Sequence, residues 1–111
     1  MIVTETVFIG RDNVIDIQLY DDSVVRGVMD KTSLANATRV EIIIDDGAKY
    51  NSEENADIIS YSYDGIVNLK LGKHFKEENI YNAQIVVFDP SNLDGILWEP
   101  KIVLDVKTDS F

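Results

Sequence analysis

Apolar residues recur at every second position through much of this 111-residue chain. That is the period at which strand side chains share one face. The run Ile80 to Asp89 carries the pattern furthest. Tyr81, Ala83, Ile85 and Val87 fall on one face, and Asn82, Gln84, Val86 and Phe88 on the other, polar first and then apolar. Val, Ile, Tyr and Phe suit a pleated, half-buried surface, so this run predicts a central strand with both faces largely covered.

Other runs repeat the pattern. Val3 to Ile9 is apolar and β-branched and ends at the turn signal Gly10-Arg11-Asp12-Asn13. Val14 to Tyr20 alternates, with Ile15, Ile17 and Leu19 on one face. Val24 to Asn36 fits neither strand nor helix period and reads as a crossing loop, with room for a short edge strand and a short 3₁₀ turn at Ser33 to Asn36. Arg39 to Asp45 is a strand with Val40, Ile42 and Ile44 inward, and Asp45-Asp46-Gly47 turns the chain. Ile58 to Tyr63 and Ile66 to Leu71 flank Asp64-Gly65, which predicts a hairpin closed by a two-residue type I′ turn. Gly72 to Asn79 reads as a polar connection with a helical turn. Pro90-Ser91-Asn92 turns the chain, and Asp94-Gly95 predicts a second turn. Ile96 to Trp98 and Ile102 to Val106 are the last strands, separated by Pro100, and Thr108 to Phe111 is a frayed tail.

The count is seven or eight short strands, with turn signals about every ten residues and no convincing helix. A single domain over 1–111 follows, all-β and antiparallel, as a two-sheet sandwich or a barrel. Parallel α/β architecture lacks its crossover helices. The predicted core is Ile15, Ile17, Leu19, Val40, Ile42, Val67, Leu69, Ala83, Ile85, Val87 and Leu104.

Composition narrows the function classes. With 45% hydrophobic residues the chain buries a core without metal or disulfide staples, and it has no cysteine. Ten basic residues against 20 acidic ones leave a net charge of −10, which argues against nucleic acid and anionic membrane surfaces as partners. No apolar run approaches the roughly 20 residues that span a bilayer, and the N-terminus has no signal-peptide pattern.

Candidate chemistry is sparse. His74 is the only histidine, in a charged connection, and reads as a surface loop residue. There is no nucleophile elbow, and no Asp-rich calcium loop forms around Asp21, Asp22, Asp45, Asp46 or Asp94. The expectation is no enzyme and no cofactor. Trp98 shares a strand face with Ile96 and reads as core or inter-strand packing. The alternative is a sugar platform built from Trp98, Tyr61 and Tyr63. The polar loop Asn51, Ser52, Glu53, Glu54 and Asn55 lacks a core-directed period and is a candidate partner contact, as is Val24 to Asn36.

Several pieces in order resemble a known family. They are Asp12-Asn13 leading into Ile15 to Leu19, Ala37 to Ile42, Gly65 to Gly72, Tyr81 to Ile85 with Val87-Phe88-Asp89, and Gly95 to Trp98. Together they resemble small immunoglobulin-like domains of tailed-bacteriophage virion proteins, as in the N-terminal domain of phage baseplate upper proteins. Asn36 stands about where that family has a Gly. The resemblance implies an immunoglobulin-like β-sandwich acting without catalysis as a structural virion protein. Its partners would be other virion proteins in a symmetric assembly, and it would reach the virion from the host cytoplasm. Tyr81-Asn82-Ala83 also has the spacing of a tyrosine corner, in which the hydroxyl bonds backbone upstream; the other reading is an ordinary packed Tyr.

Overall fold

The computed structural model describes residues 2–20 and 33–109. Most of the crossing segment Val24 to Asn36, with Asp21 and Asp22, lies outside the described residues. Eight strands form and no helix is present among the described residues. In order they are β1 (Ile2–Phe8), β2 (Ile15–Gln18), β3 (Arg39–Ile44), β4 (Lys49–Asn51), β5 (Ile59–Tyr61), β6 (Ile66–Leu69), β7 (Asn79–Asp89) and β8 (Asn92–Lys107).

A five-stranded sheet runs β1-β8-β7-β3-β4, and a three-stranded sheet runs β2-β6-β5. The strand over Ile80 to Asp89 is central in the larger sheet, between β8 and β3. One continuous core joins the two sheets, and all eleven residues predicted to fill it are buried. Val7, Ile59, Leu71, Phe75 and Ile102 join them. The alternation predicts these faces because a strand with one buried side must repeat every second residue.

The architecture departs from expectation at several points. The sheet is not wholly antiparallel: β1 runs parallel to β8, from Ile2 opposite Lys101 to Phe8 opposite Lys107. These strands lie near the two chain ends, so the rest of the protein serves as the long connection a parallel pair requires. The last two predicted strands are one strand, β8. Pro100, which has no N–H to give a ladder, sits at a register shift between Ala83 opposite Ile102 and Ile85 opposite Trp98. Asp94-Gly95 lies inside β8 at a second irregularity and does not reverse the chain. The reversal is at Pro90-Ser91, between Asp89 and its partner Asn92.

The Asp64-Gly65 hairpin forms with three loop residues instead of two. Ser62 N–H donates to Ile66 C=O, and Gly65 N–H donates back to Ser62 C=O. Tyr63 and Asp64 make the turn, and Gly65, at φ 88°, takes the left-handed position that follows it. The β3–β4 hairpin repeats the device: Ile44 N–H donates to Ala48 C=O, Gly47 N–H to Ile44 C=O, and Gly47 has φ 96°. The start of the expected frayed tail is tied down, because Asp109 is bound by Arg11 through two hydrogen bonds. That contact holds the Asp109 carboxyl below the usual carboxylate range.

Candidate functional site

The two ends of the β7–β8 ribbon carry the features that bear on function. At the end where β7 begins, three polar side chains meet. Tyr50 reaches His74 Nδ1 from β4 at 2.6 Å, and His74 Nε2 reaches Asp46 Oδ2 in the β3–β4 turn at 2.7 Å. The Asp46 Oδ1 atom also accepts the Ala48 N–H at 3.0 Å. The predicted polar connection therefore has an inward side. Phe75 is buried in the core, and the His74 ring packs edge-on against Phe75 and Tyr50.

These bonds fix the proton positions. Partial burial by itself raises the Asp46 carboxyl, but the Ala48 N–H and the His74 contact outweigh it and hold the group below its ordinary range. Asp46 is therefore an ionised acceptor near neutral pH, and Nε2 must carry the hydrogen between them. When the ring is neutral, Nδ1 accepts from the Tyr50 hydroxyl, which burial pushes up in pKa. His74 does lie in the connecting loop, but its side chain is largely covered rather than at the surface, and both its ring nitrogens are engaged.

The arrangement has the residue types of a catalytic relay. Among the described residues, surface clefts of about 250–420 Å³ lie elsewhere, and none of these is lined by Asp46, Tyr50 or His74. A tyrosine raised in pKa is also a poor nucleophile. The chain of contacts acts as a clasp between the β3–β4 hairpin and the β6–β7 connection.

At the other end the ribbon outruns the smaller sheet. An 11-residue strand such as β7 spans about 36 Å and a four-residue strand such as β6 about 13 Å, so the long ribbon overhangs. Leu93 is 79% exposed, Leu97 55% and Ile96 38%. Leu97 lies opposite Val86 on the outer face, and Ile96 opposite Val87 on the core side. Beside them the Arg39 guanidinium stacks 4.0 Å over the Phe88 ring.

The residues singled out in the sequence are dispersed. Trp98 is half-buried against the core, and its Nε1 is buried without a hydrogen-bond partner among the described residues. The Tyr61 hydroxyl is committed to Ala37 C=O at 3.0 Å, whereas Tyr63 is 73% exposed. Trp98 and Tyr61 stand in different sheets, and no aromatic row forms with Tyr63. No Tyr81 hydroxyl bond to backbone is found among the described residues. Its ring packs on Phe75 with centroids 4.6 Å apart, next to Ala83, which is buried as a core position. The hydroxyl that ties a strand to upstream backbone is that of Tyr61.

The Asn51 to Asn55 loop is largely consumed by its own bonds. Asn51 Oδ1 accepts the Glu53 and Glu54 N–H groups, Asn55 Oδ1 accepts the Asn51 N–H, and Ser52 Oγ accepts the Val40 N–H. Glu53 and Glu54 remain exposed. The exposure of Ile96 is not legible in the sequence, since alternation shows which face a residue takes but not where the covering sheet ends; Leu97 is exposed because it takes the outer face. Comparison with protein-family models, characterised proteins and solved structures finds no match to this chain.

Proposed function

We propose that this chain is a non-enzymatic structural module of a bacteriophage particle, immunoglobulin-like in build, that joins larger parts through protein–protein contacts. The motif resemblance motivates the phage assignment. The strand order supports the build: 2-6-5 facing 8-7-3-4 is the order B-E-D facing G-F-C-C′ of variable-type immunoglobulin sandwiches, with β1 added beside the last strand.

The observation that carries the contact function is the apolar overhang at Leu93, Ile96 and Leu97. Isolated apolar residues on a surface are ordinary, but these three crowd one end of a ribbon, with Ile96 and Leu97 on its opposite faces, and so offer a partner apolar contact on both sides. Charge selects the partner. At −10 per copy, two chains repel, and Asp94 lies on the overhang itself. The partner is therefore an unlike protein with an apolar recess and a basic rim, repeated around a symmetric particle. The sugar-binding alternative is disfavoured because only Tyr63 of its three aromatic residues is freely exposed.

Mass spectrometry of purified particles tests the reading. The wild-type chain should be present, and a folded Leu97→Asp variant should be depleted from particles. A chain absent from wild-type particles, with infection intact after its deletion, overturns the proposal.

A further inference from the structure

We propose that the Asp46–His74–Tyr50 chain is a pH-responsive clasp, which holds the β3–β4 hairpin more firmly when the imidazole is charged. The argument starts from the contacts. With a neutral ring, one tautomer satisfies both bonds: Nε2–H donates to Asp46 Oδ2 at 2.7 Å, and Nδ1 accepts from Tyr50 at 2.6 Å. Adding a proton at Nδ1 changes the two ends differently. At Asp46 a hydrogen bond becomes an ion pair between side chains that are only 16% and 28% exposed, so solvent screens it incompletely. At Tyr50 the contact survives with its polarity reversed, because a phenol oxygen accepts as well as donates. The hydroxyl proton then turns away from the ring. The net change strengthens the link between hairpin and connection.

The surrounding charges leave this exchange to the three residues. From the hairpin only Asp46 and Tyr50 bond to the ring, and the neighbouring Asp45 carboxylate is turned to the Asn82 amide. On β7, Tyr81 stands behind Phe75. On the same connection as His74, Lys73 pairs with Asp12 at 3.7 Å, and Lys76 Nζ donates to Lys73 C=O. What the clasp controls is β4, a three-residue strand at the edge of the larger sheet. Held in place, β4 keeps the ladder groups of β3 paired, so a firmer clasp keeps that side of β3 covered in mild acid.

Amide hydrogen exchange of the intact chain, corrected for intrinsic rates, tests this between pH 8 and pH 5.5, within the interval where imidazoles change charge. Protection at Gly47, Ala48 and Tyr50 should rise about two- to fivefold on acidification, the range of a partly exposed ion pair. The rise should vanish in His74→Gln and persist in Tyr50→Phe, which keeps the Asp46 pair. Equal protection at both pH values, or a rise that survives His74→Gln, overturns the proposal. Imidazole nitrogen NMR of the wild type tests it without any variant: the neutral ring should be the Nε2–H tautomer, and finding Nδ1–H overturns it.

Discussion

The two ends of the β7–β8 ribbon solve the same problem in opposite ways. Both carry large apolar side chains. At the β7 start, the β3–β4 turn and the β6–β7 connection fold over Phe75 and Tyr81, and the polar atoms they bring are paired as Asp46, His74 and Tyr50. At the Pro90 end no described loop covers Leu93, Ile96 and Leu97, and they face solvent. On the proposed function, burial there is left to a partner. Polar groups taken out of water must find one another, so the covered end is specified internally.

Breaking the shared root gives the largest effect. Ile85 is fully buried and lies in β7 between Ile42 and Trp98. Ile85→Ala should cost about 2–5 kcal/mol in urea titration. Leu97→Asp, at the open end, should stay within about 0.5 kcal/mol of wild type. If both cost alike, the overhang is not an exposed surface.

A hydroxyl series sharpens the same contrast at intermediate size. Tyr50→Phe and Tyr61→Phe each delete a hydrogen bond and should cost about 0.5–1.5 kcal/mol, read by denaturant midpoint. Tyr81→Phe should be close to neutral, because its hydroxyl has no backbone bond among the described residues. The reverse ranking would restore a corner role to Tyr81.

The smallest effect is acid sensitivity. The folded-state Asp46 carboxyl is held below its ordinary value, so its stabilising contribution is present above about pH 4 and is lost as pH falls through the folded value. Stability measured from pH 5 down to pH 2 should therefore fall less in Asp46→Asn than in wild type. Parallel curves would show that the carboxylate contributes nothing there.

The sequence was informative wherever one residue's neighbours two positions away decide its surroundings. Ile15, Ile17 and Leu19 announce a buried face by themselves, as do Val67 and Leu69. The turn at Gly65 is legible because a left-handed backbone favours glycine, although the loop length is not: that depends on how Ser62 pairs with Ile66. β4 escaped notice because three residues are too few to show a period. His74 was misread for a related reason. Lys73, Lys76, Glu77 and Glu78 surround it in the chain, while its bonding partners lie 24 and 28 residues away.

Alternation and turn chemistry therefore determined the all-β character, the buried faces and most chain reversals, since these follow from side-chain period and local backbone sterics. The tertiary structure alone decided the parallel seat of β1 on β8, the partners of His74 and the bare end of the ribbon. Each of these depends on which distant segment arrives alongside and how far it extends. Strand pairing satisfies backbone groups with any extended neighbour, so the choice among neighbours is made by the packed core as a whole and not by any one stretch of sequence.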